Sequence, residues 1–332
     1  MDELQRRKRR EEARRRVQRQ RRLAVLVLLA GLVAVIVVGA GAFSGGDDGD
    51  GGAERAGAGA DPDAPAKPKP PPELPRGGRR IFPRYRIVGF YGAPQDDALG
   101  ALGIGSPAKM AARLRKQARP YRRRGRPILP AFELIAVVAS GAAGDDGSYS
   151  YRQPPEVIDR YLKAARKEKA LLMLDVQPGR ANFMREVKRL RPWLEQPDVS
   201  LALDPEWRVG PGQVPGQVIG SVSAAEVNRV TRYVRGIVRK KKLPQKLLLI
   251  HQFTDDMIPD KQRLLRPREL AVTINVDGFG DQPNKISKYQ EFARSARGFH
   301  HGFKLFYEED TNLMTPKQVL RLRPKPSIVV YE

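Results

Sequence analysis

The residues best suited to do chemistry fall in one short run. Leu201–Trp207 reads LALDPEW and sets two carboxylates, Asp204 and Glu206, two positions apart at what reads as the end of a β-strand. On an extended strand such residues project to the same side. One carboxylate raises the pKa of its neighbour, and a carboxyl kept protonated near neutrality is the general acid that acetal cleavage needs. Trp207 beside them offers a flat apolar face to a sugar ring. Pro205 between them either aims Glu206 or ends the strand.

Polar residues recur at matching points elsewhere: Tyr91, Glu133, Asp175, Gln177, His251, Asn275, Asp277, Lys304, Glu308 and Asp310. Each stands at or near the C-terminal end of an apolar run of strand length. A fold that needed only stability would place Val, Ile or Leu there, so the set predicts a pocket. Asp175, Asp277 and His251 are expected to bind substrate or tune pKa, with Tyr91 stacking alongside Trp207. Lys304 reads as lying low in the structure, where its charge needs a carboxylate, and Glu133 is the expected partner. His251 is a proton carrier, a metal ligand or a hydrogen-bonding wall residue. Glu308 or Asp310 could pair with Glu206 as the second carboxylate of a retaining scheme. His300 and His301 are expected at the opposite face, on the surface.

These residues need a frame, and the chain supplies a regular one. Strands are expected at Arg86–Gly92, Ile128–Ala136, Ala170–Gln177, Val199–Trp207, Lys246–Phe253, Leu270–Gly278, Phe303–Glu309 and Ser327–Glu332. Between most of them lie amphipathic segments with helix-start signals. Ser106-Pro107 and Thr315-Pro316 place a cap before a proline at the first helical position. Ser223 and Glu226 form the S-x-x-E pattern of a capping box, which gives Glu226 a structural task. Helices are expected at Glu156–Lys169 and Arg180–Glu195, and only a short one near Lys261–Leu265. Strand–helix alternation indicates a parallel sheet, and eight strands in a segment of this size indicate α/β class and one closed (β/α)8 TIM barrel. Alternation within strands agrees. Leu172, Leu174 and Val176 oppose Met173, Asp175 and Gln177, while Val272, Ile274 and Val276 oppose Thr273, Asn275 and Asp277. One set packs on helices; the other enters the barrel and turns polar toward the C-terminal mouth.

The first part of the chain is different. Residues 1–22 are rich in arginine, and Leu23–Phe43 is a run of 21 residues without a charge. That length crosses a hydrocarbon core of ~30 Å as a helix. The arginines hold their side in the cytoplasm, so the remainder is expected outside. Ala40-Gly41-Ala42 also fits a cleavage site, and either outcome exports the rest. Residues 44–80 are Gly-, Asp- and Pro-rich and read as a disordered linker. The expected organisation is therefore a basic segment 1–22, a transmembrane helix 23–43, a linker 44–80 and a barrel domain 81–332.

The D-x-E at the end of the fourth strand resembles the chitinase-like glycosidases and the barrel-type muramidases. The resemblance implies Glu206 as general acid and Asp204 as the residue that positions or stabilises a substrate acetamido group. It covers this strand and the barrel. The chitinase-type pattern has two further aspartates upstream, where this chain has Val199 and Ala202. It also has a tyrosine after the sixth strand, where this chain has NVDGFG. As a whole the chain resembles an uncharacterised family of exported bacterial barrel proteins.

The net charge is +24 and there is no cysteine. Disulfides, thiolate metal sites, cysteine nucleophiles and a lipidated cysteine are therefore excluded. No P-loop, G-x-G-x-x-G or G-x-S-x-G motif occurs, which argues against nucleotide cofactors and serine-hydrolase chemistry. The first expectation is a membrane-anchored extracellular glycoside hydrolase that acts on a cell-wall or other polysaccharide, with no metal or cofactor and no nucleic-acid partner. Two alternatives stand beside it. One is a metal-dependent hydrolase using Asp175, Asp204, Glu206, His251 and Asp277 as ligands. The other is a non-catalytic barrel whose basic surface grips an anionic wall polymer.

Overall fold

The structure is a computed structural model that describes residues 70–94 and 99–332. Strands β1 (Arg86–Gly92), β2 (Ile128–Ala139), β4 (Leu171–Val176), β5 (Val199–Leu203), β6 (Lys246–Gln252), β7 (Leu270–Val276), β8 (His300–Leu305) and β9 (Ile328–Tyr331) are parallel neighbours in chain order. The barrel closes because β1 pairs with both β2 and β9. Strand β3 (Ser150–Arg152) is a short antiparallel addition to β2 that the sequence pattern did not reveal. Strands β4, β5, β6 and β7 are buried at every position, as expected when helices cover one face and the barrel lumen the other.

The outer layer comprises α1 (Pro107–Ala118), α2 (Pro155–Lys167), α3 (Phe183–Arg189), α4 (Arg191–Leu194), α5 (Ala224–Lys240), α6 (Gln282–Ser295) and α7 (Pro316–Val319). Helix α5 shows why it forms where it does. Ser223 accepts from the Glu226 amide at 3.3 Å. Val227, Val230, Val234, Ile237 and Val238 then form one buried stripe at helical spacing. Burying each such side chain is worth about 1.5–3 kcal/mol. The reciprocal half of the expected capping box is replaced. The Glu226 carboxylate instead accepts the Phe183 amide at 2.9 Å and pairs with Arg208 at 3.3 Å, tying the start of α3 to α5. After β6, helix gives way to short 3-10 turns at Asp255–Met257 and Lys261–Arg263.

The folded unit begins at Pro72, earlier than the expected boundary at Ile81. Leu74, Ile81, Phe82 and Tyr85 belong to the same apolar cluster as Ile87, Leu129, Leu171, Leu247 and Ala271 at the N-terminal ends of the strands. Arg76 donates to the Lys169 carbonyl at 3.1 Å, and Arg79 to the Leu243 carbonyl at 3.0 Å. The last residues assigned to the linker therefore plug the barrel floor. Strand β8 also starts earlier than expected. His300 and His301 open that strand and are half-buried rather than on the surface, with the His300 ring 4.6 Å from the Phe82 ring. Among the described residues, no helix is long and apolar enough to cross a membrane. The expected span at 23–43, residues 1–22 and linker residues 44–69 lie outside the described residues.

Candidate functional site

His251 is at the centre of the inward-facing polar residues. On β6 it continues the inward row of Leu247 and Leu249, and it is fully buried. Its Nε2 lies 2.9 Å from Glu133 Oε1 on β2, and its Nδ1 lies 3.0 Å from Asp277 Oδ2 just past β7. Burial favours the neutral ring. The Glu133 charge and the hydrogen bonds of both carboxylates outweigh it and raise the His251 pKa well above the ordinary histidine range. Asn275, on the neighbouring strand, places its Nδ2 3.3 Å from the same Nδ1.

Asp175 on β4 lies against this group. The Tyr91 hydroxyl donates to its Oδ2 at 3.2 Å, and Gln177 Nε2 donates to the Tyr91 oxygen at 2.9 Å. Gln177 is held in turn by the Ala139 amide, which donates to its Oε1 at 3.0 Å. Burial raises the Asp175 pKa well above the usual carboxylate range. Asp204 and Glu133 add to the rise, against the pull of His251. Tyr91 is shifted upward too, by burial and then by Asp175 and Asp204, so its phenol stays protonated.

Lys304 on β8 completes the network, but not with the expected partner. Glu133 is engaged by His251, whereas Lys304 Nζ lies 3.2 Å from Asp277 Oδ2 and 2.6 Å from Glu332 Oε2. The ammonium also sits 3.7 Å from the centroid of the Tyr91 ring. Desolvation opposes its charge, but Asp277 and Glu332 outweigh it and raise the pKa. Glu332 is the site residue that motif reasoning missed. Burial pushes its carboxyl up to about 7, with Lys304 pulling the other way. The signal was present in the sequence, because Ile328 and Val330 face the barrel lumen and alternation carries Glu332 to the same side.

The LALDPEW run departs from its expected geometry. Strand β5 stops at Leu203, and Pro205–Trp207 forms a 3-10 turn. Asp204 and Glu206 are therefore not paired on an extended strand. Asp204, itself buried, caps the turn, and the Glu206 amide donates to its Oδ1 at 3.3 Å. The charge of Asp204 is felt at Asp175, Tyr91, His251 and Lys304. Glu206 and Trp207 are half-buried on the turn beyond it. Their peptide path is fixed by the Gly220 amide, which donates to the Glu206 carbonyl at 2.6 Å.

The two remaining acids separate. Glu308 is exposed in the turn after β8. Asp310 is buried and committed to that loop. It pairs with Lys285 at 2.9 Å and accepts the Gly280 and Phe306 amides, each at 3.0 Å. Lys285 itself also donates to the Gly278 and Lys304 carbonyls, so Asp310 is engaged in tying the mouth loops together. The structure thus brings together Tyr91, Glu133, Asp175, Gln177, Asp204, His251, Asn275, Asp277 and Lys304. It leaves Glu206 and Trp207 at the rim.

No family model matches the chain, and no curated protein matches it. Among solved structures, it is similar to the crystal structure of a hyperthermophilic endo-β-1,4-glucanase in complex with substrate. The identity is 10%, 61% of this chain and 76% of that chain are covered, and the TM-score is 0.32. At that score the likeness carries no argument about the site.

Proposed function

We propose that the chain is a glycoside-hydrolase-like barrel that cleaves glycosidic bonds of a polysaccharide at its C-terminal mouth. The position of Asp204 carries this reading. One of its oxygens caps the turn bearing Glu206, and its charge acts on the buried group around Asp175 and His251. A half-buried glutamate on the turn that follows β5 thereby adjoins the aspartate whose charge reaches the buried network. Glu206 gives its proton to the leaving oxygen as the bond to the anomeric carbon breaks; water then bonds to that carbon and returns one proton to the Glu206 carboxylate, which restores the acid. Asp204 positions Glu206 and offers negative charge to the cationic sugar ring. Trp207 provides the stacking face.

The location belongs to the same proposal. The charge-free run Leu23–Phe43 behind an arginine-rich segment would anchor the chain and hold the barrel outside, and a cell-wall polysaccharide would then be the accessible substrate. Reducing-sugar release from peptidoglycan and a panel of bacterial polysaccharides tests the chemistry. Release by the parent chain that Glu206→Gln abolishes supports it, and no release from any substrate overturns it.

One observation favours a second reading, a tethered wall-binding module. An open surface depression is lined by Asn182, Met184, Arg185, Lys188, Arg189 and Arg229, and four of these are cationic. Salt-sensitive co-sedimentation with cell walls, unchanged by Glu206→Gln and with no sugar release, would put this reading first.

A further inference from the structure

Glu133, Asp175 and His251 stand on three different strands, and each offers one donor atom within 4.8 Å of the others. We propose that they form a binding site for one divalent cation of the zinc or manganese class, a site that goes beyond the glycosidase reading and does not depend on it.

Besides Asn275 Oδ1, two carboxylate oxygens at this point have no hydrogen-bond partner. They are Glu133 Oε2 and Asp175 Oδ1, both on side chains that are 0% exposed. A buried carboxylate oxygen without a donor costs free energy, and native folds leave few such atoms. A histidinium bridging Glu133 and Asp277 accounts for Glu133 Oε1 and leaves the other two oxygens unexplained. A cation accounts for both.

The spacing and surroundings also fit. Neighbouring donors around an ion with bonds of about 2.0–2.1 Å lie about 3 Å apart. His251 Nε2 and Glu133 Oε1 are 2.9 Å apart. The outer contacts are those that orient metal ligands. His251 Nδ1 donates its proton to Asp277 Oδ2 at 3.0 Å, which leaves the Nε2 lone pair free for a cation beside Glu133. The Tyr91 hydroxyl holds Asp175 by Oδ2, the oxygen opposite the unpartnered one. One imidazole with carboxylates selects zinc or manganese over magnesium and calcium, which prefer all-oxygen cages. The ligand set considered from sequence therefore changes. Glu133 enters, Asp277 moves to the outer contact, and Glu206 stays on the rim.

The full chain, purified in mild detergent and stripped with a chelator, is dialysed against Zn2+ or Mn2+ and its metal content measured. About one ion per chain is expected, with a rise in the unfolding midpoint. Asp175→Asn and Glu133→Gln should abolish both effects, and Asp277→Asn should weaken affinity by roughly 10–100-fold. Glu206→Gln should bind metal as the parent does, so loss of sugar release without loss of metal separates this site from the rim chemistry. Anomalous scattering from a Mn2+-soaked crystal locates the ion without any variant. A peak between Glu133, Asp175 and His251 supports the site. A stripped parent that takes up no more than a trace, a peak elsewhere, or a folded Asp175→Asn that binds like the parent overturns it.

Discussion

His251 Nε2 and Glu133 Oε1 meet at 2.9 Å although 118 residues separate them in the chain. Both are fully buried, and the contact exists because β2 and β6 face one lumen. Removing one side of such a pair leaves a buried charge short of a partner. Glu133→Ala should therefore cost about 3–5 kcal/mol in denaturant unfolding of the chelator-treated protein at neutral pH. A loss below about 1 kcal/mol would mean that the two side chains do not meet as an ion pair in the fold.

Glu206 should show the opposite balance of effects. Its side chain is half-buried on a turn that main-chain contacts already fix, so Glu206→Gln should leave the unfolding midpoint nearly unchanged. The same variant should lower kcat for glycoside release by about 10²–10⁴-fold if Glu206 is the general acid. Equal rates in parent and variant would remove it from that role.

Glu332 makes stability depend on pH in the acid range. Its folded pKa is raised to about 7 from an ordinary 4.5. The folded state therefore holds a proton that the unfolded state has lost. The stabilisation is full below about 4.5 and is lost as pH rises through about 7. Unfolding free energies taken across that window should fall for the parent. The Glu332→Gln slope should be flatter, and parallel slopes would refute the assignment.

Lys246 acts in a different window. It is buried at the start of β6 and donates to the Gln196 and Val199 carbonyls at 2.6 and 2.5 Å. Burial lowers its pKa to about 7 from 10.5. Between these values the unfolded chain holds the proton and the folded one does not, so this group makes stability rise with pH. The slope is at most about 1.4 kcal/mol per pH unit. Lys246→Met should remove that rise above pH 7, as unfolding curves at several alkaline pH values would show.

Gly302 is a packing requirement of the network. A β-carbon there would lie 2.3 Å from Asn275 Oδ1 and 2.8 Å from Ile328 Cγ2. The residue has no left-handed backbone to protect, so the effect of Gly302→Ala is steric. It should cost roughly 1–3 kcal/mol, measured by chemical unfolding. In the double variant with Asn275→Ala part of that loss should return, and strictly additive losses would show that the two positions do not meet.

Sequence alone determined the barrel architecture of the described residues. Strand-length apolar runs alternating with capped amphipathic helices carry a local, repeated signal, and period-two alternation told inward residues from outward ones before any contact was known. That is why Asp175, His251, Asn275 and Asp277 could be named as lumen residues from sequence. Pairing was not legible. Which carboxylate reaches His251 or Lys304 depends on barrel closure and on how far each side chain extends, and no local pattern encodes either. So Lys304 found Asp277 and Glu332 instead of Glu133. The turn at Pro205 was decided at the same level: β5 ends where its pairing with β4 and β6 ends, and Asp204 then caps a 3-10 turn instead of continuing an extended strand to Glu206. Asp310 reads like any rim acid, and its engagement with Lys285 follows from the docking of α6 against β8. Periodicity fixed which face each residue occupies, and only the closed tertiary structure set the distances between faces, on which the chemistry depends.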